Sequence, residues 1–267
     1  MRLIKWCVIV GFTAIMVVPF LWLATASFKT NRDLFSNPFG LPAKWVTTNY
    51  EAVLSAHPFA LYLYNSTFVA VVSTILALVA AALASYIFNY MFKWKSGWFI
   101  FLTLGVLIPT NAFMVPYYYI VNWLGLYDQL FGVALVYAGV SLPLSVFIIK
   151  NYMDSIPYEI TEAAFIDGAG IHANFWQIIL PVSYPGIVTA SIFLMITAWN
   201  ELLFANLLTQ SEGTRTLQVA IRFFLTTFQA NYPQAFAAMI IAIVPTVVVY
   251  VCLSEKIIGG LTAGAVK

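Results

Sequence analysis

The residues best suited to acid–base or metal chemistry are scarce and far apart in this sequence. Only two histidines occur, His57 and His172, and the two cysteines, Cys7 and Cys252, both lie in apolar stretches. The chain has no Gly-x-x-x-x-Gly-Lys phosphate loop, no His-Glu-x-x-His helix, no Gly-x-Ser-x-Gly elbow and no dinucleotide fingerprint. We therefore expect no catalytic residue, no metal site and no cofactor bound by this chain.

One polar segment, 151–185, interrupts the apolar chain and carries helical signals of its own. It is too polar to cross a membrane. Pro157 suits the first turn of a helix, and Glu159 and Glu162 lie where the positive end of the helix dipole favours acidic residues. These signals predict a helix over 157–167.

A turn and a second helix are predicted to follow. Gly168 can adopt the left-handed conformation that ends a helix, and the pattern after it predicts a second helix over 172–180, stopped by Pro181. The segment should therefore form a helix-turn-helix projection. Ala163 and Ala164 would leave a shallow patch on it, where the backbone of a partner can approach closely.

The elements that hold this projection follow from composition and from the spacing of charges. The chain is 62% hydrophobic and only 8% charged, against ~25% charged in typical soluble domains. A bilayer-spanning helix needs roughly 20 consecutive apolar residues. The windows that satisfy this requirement lie near 6–28, 66–90, 98–121, 130–150, 186–209 and 234–255. We predict a single all-α integral membrane domain over 1–267 with six spans.

Lysines in a short connection set the predicted orientation. The 91–97 connection carries Lys93 and Lys95, and positive residues in short loops favour the cytoplasmic side. With an even number of spans, both termini, the loop 151–185 and the tail 256–267 share that side. The first span resembles a signal peptide, but its apolar run exceeds the ~7–15 residues of a signal core, so we expect it to be retained. Scattered basic residues argue against nucleic-acid binding.

The residues of the projection resemble a known family motif. Glu162-Ala163-Ala164 is followed after three residues by Gly168, and after nine more by Ile178-x-Leu180-Pro181. This arrangement resembles the EAA motif of permease subunits from ABC-type importers. The local sequences EAAFIDGAG and IILPVSYPG are most similar to the sugar branch, the maltose-type permeases. Trp199-Asn200 and the tail from Gly259 to Lys267 agree with that branch, so the resemblance covers essentially the whole chain.

The resemblance implies a six-transmembrane-helix permease with a cytoplasmic coupling helix, in a bacterial-type inner membrane. ATP and Mg would be bound by separate ATP-binding subunits. The further implied partners are a second, related permease, an extracytoplasmic solute-binding protein and the lipid bilayer. The residues implied to dock the ATPase are Glu162, Ala163, Ala164, Asp167 and Gly168. The tail residues implied at the ATPase interface are Gly260, Leu261, Thr262, Ala263 and Gly264.

A carbohydrate path would need aromatic and polar side chains facing the bundle interior, because sugars are held by stacking and by hydrogen bonds to hydroxyl groups. The residues that fit by type are Asn111, Tyr117, Tyr118, Asn122, Trp199, Asn200 and Glu201. Glu201 is the only acid in the interior of an apolar window, since Glu255 is the last residue of the window 234–255. Such an acid is a functional hypothesis by default, but it lies near the outer end of its span, so a structural role stays equally open.

Two alternatives to a carbohydrate importer remain at this point. The chain could be a permease for another solute, such as a polyol or glycerol phosphate. It could also be a stand-alone carrier or channel without an ATPase, which would leave the 151–185 projection without a purpose. We hypothesise that Gly168→Asp abolishes transport without preventing membrane insertion.

Overall fold

The computed structural model describes residues 2–56, 58–90, 95–227 and 231–263, and those residues form helices and connections without any strand. The first helices are α1 (Arg2–Ala26), α2 (Asn31–Ser36), α3 (Thr48–Ala56), α4 (Phe59–Tyr90) and α5 (Lys95–Leu104). The next are α6 (Met114–Trp123), α7 (Leu130–Met153), α8 (Tyr158–Ile166), α9 (Ile171–Val182) and α10 (Tyr184–Asn200). The last are α11 (Leu203–Leu208), α12 (Leu217–Thr227) and α13 (Tyr232–Ala263).

Several of these helices have the length and composition of membrane spans. Among the described residues, Ile4–Ala26, Phe59–Asn89 and Leu130–Met153 qualify individually, and α9 with α10 qualifies as a pair bent by 71°. In α13 the stretch Tyr232–Pro245 is a shorter apolar helix. The six-span count itself stays a prediction.

The segment expected to span at 98–121 contains two helices rather than one. Helix α5 ends at Leu104, and a 3₁₀ turn at Thr110–Phe113 precedes α6. Pro109 lies directly before that turn, and its missing N–H and fixed φ disfavour an uninterrupted helix. The break therefore exposes backbone and polar side chains at the ends of α5 and α6.

The chain divides into two compact units, and the first comprises Met1–Leu63 and Leu217–Val248. Its connection after α1 is fixed by buried polar groups. The fully buried Lys29 ammonium donates to the carbonyl of Asn37 at 2.7 Å. The Asn49 amide donates to the carbonyls of Ser27 and Lys29, each at 2.8 Å. Backbone carbonyls thus satisfy the charge of a buried lysine.

The second unit comprises Tyr64–Thr216 and Val249–Lys267, and it contains α8. Its core joins α4, α7, α9 and α10 through the buried residues Ala81, Ala82, Tyr86, Val146, Ile149, Phe175, Ile179 and Ala190. Small side chains let the helices approach closely. At Gly186 an added Cβ would lie 2.6 Å from the Cβ of Tyr152, so a larger residue at this point of α10 would collide with α7. Helix α8 contacts the stretch Asn174–Ile179 of α9, which contributes Phe175 and Ile179 to this core.

Candidate functional site

The helix α8 begins directly after Pro157 and ends in a turn at Gly168. Gly168 has a φ of +86°, a conformation that glycine adopts without the steric cost of a Cβ. The N–H of Gly168 donates to the carbonyl of Phe165 (3.1 Å), and the N–H of Ala169 donates to that of Ala164 (2.9 Å). These bonds form the Schellman arrangement that satisfies the last carbonyls of a helix. The left-handed conformation predicted for Gly168 is confirmed.

The residues predicted to dock an ATPase lie on two faces of α8 and in the turn that follows it. Ala164 is only 6% exposed and its neighbour Thr161 is fully buried, so this face packs against its own unit. The exposed members of the predicted set are Glu162, Ala163, Asp167 and Gly168. The shallow patch expected from both alanines is therefore limited to Ala163, because Ala164 is covered.

Sequence analysis did not single out Ile166, which is 84% exposed. It lies three and four residues after Ala163 and Glu162, so helical geometry places the three side chains on one face. Phe165 beside it is 43% exposed. The sequence did contain a signal for this exposure. Glu162 and Ala163 were predicted to lie at the surface, and a residue three or four positions later in the same helix lies on the same side as they do. The projection thus presents an apolar tip next to an acidic residue.

Helix α9 differs from the short helix predicted over 172–180. It begins at Ile171, contains the π-helical residues Asn174–Ile179 and continues to Val182. Pro181 does not stop it, so that expectation is wrong. The proline lies in the first turn of the α-helical piece that follows the π segment, where its missing N–H costs little. Helix α10 starts directly afterwards, and the chain turns sharply at Ser183.

A cavity of about 360 Å³ lies among α7, α10 and the break between α5 and α6. Its volume is near the lower end of the ~300–1,000 Å³ usual for small-molecule sites. The polar side chains that line it are Thr110, Asn111, Tyr137, Ser141, Thr197 and Glu201. Apolar side chains such as Val140, Leu144 and Phe193 complete the wall. The mixture suits a neutral ligand rich in hydroxyl groups.

Three of the predicted path residues lie at or beside this cavity. Asn111 and Glu201 line it directly. The ring of Tyr117 contacts the ring of Phe204, a lining residue, with centroids 5.6 Å apart. The structure therefore brings these three residues together from the 3₁₀ turn before α6, from α6 itself and from the position after α10.

The other predicted path residues do not line the cavity. Tyr118 packs against Tyr127 with ring centroids 5.5 Å apart. The amides of Asn122 and Asn200 donate to backbone carbonyls one turn earlier in their own helices. The Nε1 of Trp199 is buried and has no hydrogen-bond partner among the described residues. A path role for Tyr118, Trp199 and Asn200 stays a prediction.

The carboxylate of Glu201 is fully engaged by protein donors. Glu201 is extended, with ψ 127°, between α10 and α11. One carboxylate oxygen accepts the N–H groups of Leu203 (2.7 Å) and Phe204 (3.0 Å). The other accepts the N–H of Ala205 (3.2 Å) and the hydroxyl of Tyr137. The carboxylate thus caps α11, and this geometry favours the structural role over direct ligand contact.

The cavity also includes hydroxyl groups that the sequence analysis missed. Tyr137 and Ser141 are four residues apart on α7, and Thr197 lies four residues before Glu201. Helical residues at this spacing share one face, which applies to Tyr137 and Ser141 but not to Glu201, because Glu201 is extended beyond the end of α10. The sequence therefore contained the signal for one polar face on α7, but not the signal that Thr197 and Glu201 meet it.

The connection after α11 is held by a second carboxylate. Asp128 accepts hydrogen bonds from the N–H groups of Gln210 (2.8 Å) and Ser211 (3.0 Å) and from the hydroxyl of Thr214. Burial alone raises the pKa of the Asp128 carboxyl. The hydrogen bonds from Thr214, Gln210 and Ser211 outweigh burial, so the pKa lies below its ordinary value. The amide of Asn65 holds the same connection by donating to the carbonyls of Gly213 and Arg215, each at 2.9 Å.

The tail and the metal prediction can be followed only over part of the chain. Helix α13 continues to Ala263, so Gly260, Leu261, Thr262 and Ala263 are helical, whereas Gly264 lies outside the described residues. The helix extends beyond the predicted end of the last span at 255. No group of three or more His, Cys, Asp or Glu residues that could hold a metal occurs in the described part of the chain.

Comparison with known proteins identifies the family. Residues 73–255 match the family described as the binding-protein-dependent transport system inner membrane component, and the chain belongs to this family. It is 34% identical to the putative ABC transporter permease protein ORF2 of Caldicellulosiruptor sp. over 96% of this chain and 94% of that protein. It is 29% identical to the diacetylchitobiose uptake system permease protein NgcG of Streptomyces coelicolor over 99% and 88%, respectively.

The fold is similar to that of a solved transporter. One chain in the crystal structure of a bacterial ABC transporter involved in the import of the acidic polysaccharide alginate matches with a TM-score of 0.81, 20% identity and 95% coverage of each chain. The predicted all-α permease fold and the family assignment from the EAA residues are confirmed. The protein is a multi-pass inner-membrane permease of an ABC-type, binding-protein-dependent transport system. Its family is the membrane component of such systems, not the ATPase.

Proposed function

We propose that the chain is the membrane-spanning subunit of an ATP-driven importer that translocates a carbohydrate by alternating access. In this proposal six spans cross the membrane, both termini are cytoplasmic, and the chain is not itself an enzyme. ATP and Mg²⁺ are bound and ATP is hydrolysed on partner subunits, in keeping with the sequence, which has no phosphate-binding loop.

The exposed face of α8 is the observation that carries the ATP-coupled part of the proposal. Glu162, Ala163 and Ile166 share this face, and Ile166 is 84% exposed. An isoleucine so exposed in a helix fixed by a closed turn is more stable when a partner covers it. If an ATP-binding subunit docks on α8, it covers this exposed face. A stand-alone carrier has no partner that would do so.

The carbohydrate part rests on a relative and on the cavity. The Streptomyces coelicolor relative is named for diacetylchitobiose uptake. The cavity offers hydroxyl and amide groups from Thr110, Asn111, Ser141 and Thr197 beside apolar surface. Such groups can hydrogen-bond to sugar hydroxyls without requiring a charge on the ligand. We therefore place the path at this cavity, with Asn111 and Tyr117 as contributors.

The proposal includes partners on three sides. ATP-binding subunits dock on α8 and on the tail residues Gly260–Gly264, a second, related permease completes the membrane pathway, and an extracytoplasmic solute-binding protein delivers the substrate. The remaining surface contacts the lipid bilayer, and no nucleic acid is involved. The family description itself names dependence on a binding protein.

The test is the ATPase activity of the complex purified through this subunit, with and without its substrate-loaded binding protein. Wild type is compared with Glu162→Ala, Gly168→Asp and the matched control Gly170→Ala. Gly168 has a positive φ, whereas Gly170 has a φ of −76°. At both positions an added Cβ would have no other atom within 4 Å, so the two sites differ in backbone conformation and not in available space. We expect stimulation in wild type and in Gly170→Ala, and loss of stimulation in Gly168→Asp and Glu162→Ala, with the subunits still assembled.

The opposite results have distinct meanings. If no ATPase subunit co-purifies with wild type, the chain works without the proposed motor and the proposal is wrong. If the ATPase co-purifies but Gly168→Asp is stimulated normally, the docking role of the α8 turn is wrong. A panel of sugars in the same assay then tests the carbohydrate assignment, which fails if only a non-carbohydrate solute stimulates hydrolysis.

A further inference from the structure

A polar contact connects α9 to α4, two helices that are distant in sequence. The phenol oxygen of Tyr86, near the end of α4, donates to the carbonyl of Ile171 at 3.2 Å. The same oxygen accepts a hydrogen bond from the side-chain amide of Asn174 at 2.9 Å. Tyr86 is 3% exposed and Asn174 is fully buried. The hydrogen bond from Asn174 is therefore shielded from water, where competition would weaken it. The bond to Ile171 is partly buried, because Ile171 itself is 46% exposed.

The aromatic ring of Tyr86 adds an apolar contact at the same place. Its centroid lies 5.0 Å from that of Phe175, in a tilted arrangement. Phe175 and Ile179 extend this contact into the core shared with α4 and α7. Apolar surfaces alone permit sliding, because dispersion contacts have little directionality. Hydrogen bonds to Tyr86 fix which residue of α9 lies against which residue of α4.

Asn174 depends on this contact. Its Oδ1 is buried and has no hydrogen-bond partner among the described residues, so the bond to Tyr86 is the one that its side chain is seen to make. Asn174 is also the first residue of the π-helical stretch Asn174–Ile179. Such stretches are frequent at functional sites. The contact therefore joins α4 to α9 at the point where the geometry of α9 changes.

The connectivity of α8 gives this contact a mechanical meaning. The backbone connects α8 directly to α7 through residues 154–157, and to α10 through α9 and Ser183. It gives no such direct connection to α4, which ends at Tyr90, many residues before α8. A movement of α8 can reach α4 only through non-covalent contacts. The contact of Tyr86 with Asn174 is directional and buried, and its contact with Ile171 is directional and partly buried.

We propose that Tyr86 and Asn174 form a positioning pair that transmits movement of α8 to α4, so that α4 and α10 move together. The inference rests on the proposed docking of an ATPase on α8. Neither residue touches substrate or nucleotide in this scheme. Without the pair, α8 should still dock on the ATPase and α10 should still move when nucleotide binds. Helix α4 should no longer move with α10.

The test compares Tyr86→Phe with Ser85→Ala in the complex with its ATPase subunits, reconstituted in lipid nanodiscs. Tyr86→Phe keeps the ring beside Phe175 and removes both hydrogen bonds. Ser85→Ala is the matched control, because Ser85 is a fully buried neighbour on α4 whose hydroxyl donates to Val146 of α7 at 3.4 Å, not to α9. Both changes thus remove buried polar contacts of one helix.

Movement is read from single cysteines in a background that carries Cys7→Ser and Cys252→Ser. One reporter replaces Tyr64, 61% exposed on α4. The other replaces Leu203, 45% exposed, which is the first residue of α11 and lies three residues after the end of α10. Their maleimide reaction rates are measured before and after addition of MgATP with orthovanadate. In wild type and in Ser85→Ala we expect both rates to change. In Tyr86→Phe we expect the change at position 64 to fall about fivefold, the low end of coupling between sites, and the change at position 203 to persist.

A double-mutant cycle separates this role from simple destabilisation. Asn174→Leu should reduce the response at position 64 as Tyr86→Phe does, and the double variant should lose no more than either single variant. The proposed role of the pair is wrong if the response at position 64 is unchanged in Tyr86→Phe. It is also wrong if the responses at positions 64 and 203 fall equally, or if the losses in the two single variants add up in the double variant. If wild type binds no ATPase, or neither reporter responds in wild type, the proposed function fails and this inference fails with it.

Discussion

At the scale of single residues, two carboxylates stabilise the connections on either side of α11. Glu201 binds the connection before this helix, and Asp128 binds the connection after it. Glu201 was open to a pathway role or a structural role from sequence, because its residue type and depth fit both. Its three backbone donors and one side-chain donor favour the structural role, in which the carboxylate caps α11. No sequence pattern predicts that Tyr137, from another helix, supplies one of those donors.

The cap predicts the effect of Glu201→Gln. The amide keeps one acceptor oxygen and turns an NH₂ group toward backbone donors, so at least one buried N–H loses its partner. We expect the free energy of unfolding to fall by about 1–3 kcal/mol. Asn200→Ala, at an exposed neighbour, should change it by no more than about 0.5 kcal/mol. Thermal unfolding of the purified subunit measures both; wild-type stability together with lost transport would instead make Glu201 a ligand residue.

Asp128 predicts a pH dependence. Its pKa is lower in the folded protein than in the unfolded chain, where it is about 3.9. Its contribution is therefore present above that value and is lost as the pH falls through the folded pKa. Asp128→Asn keeps a side chain that tolerates the φ of 56°. It should lower the unfolding free energy at pH 7 by about 0.5–1 kcal/mol, because solvent screens this largely exposed carboxylate, and the difference should shrink toward pH 3. A pH-independent difference in thermal unfolding contradicts this account.

At the scale of helices, sequence patterns predicted where helices occur better than they predicted where a helix is interrupted. The apolar runs that became α1, α4 and α7 were predictable because charges bound them. The break between α5 and α6 was not, since Pro109 can either bend or interrupt a helix. The path of α9 through Pro181 was also missed, because π-helical turns have no sequence signature comparable to helical periodicity.

Helix α8 predicts that docking and stability can be separated. Ile166→Ser removes apolar surface that is already exposed, so the subunit should unfold at the wild-type temperature. The affinity for the ATPase subunit should fall about tenfold, as expected for loss of roughly 1.5 kcal/mol of apolar burial. Ile75→Ser is the control, since Ile75 is 54% exposed on α4. Titration of the ATPase onto the reconstituted permease measures the affinity; equal loss in both variants would point to a general effect of serine.

At the scale of the whole molecule, composition and family motif together predicted the class of protein. Scarce charges indicated a membrane domain, and the EAA residues indicated the permease family. The division into two compact units was not predictable, because it depends on contacts between helices distant in sequence. The same holds for the cavity, whose lining comes from three separate parts of the chain.

The proposed topology predicts opposite accessibility for positions that precede and follow α10 in the chain, Ile166 at the end of α8 and Gln210 after α11. In the cysteine-free background, Ile166→Cys should react with a membrane-impermeant maleimide only in inside-out vesicles. Gln210→Cys should react only in right-side-out vesicles, since the 17 residues of α10 rise about 26 Å, close to the ~30 Å of a bilayer core. Both positions are exposed. Reaction of both from one side would mean that α10 does not cross the membrane.

The 71° bend between α9 and α10 determines how a displacement is divided between directions. A shift along the axis of α9 projects only about one third of its length onto the axis of α10, and nearly all of it falls across that axis, if the bend stays rigid. A push along α9 would therefore displace α10 sideways far more than along its own axis. The bend therefore favours rotation of α10 over translation of α10 along its axis.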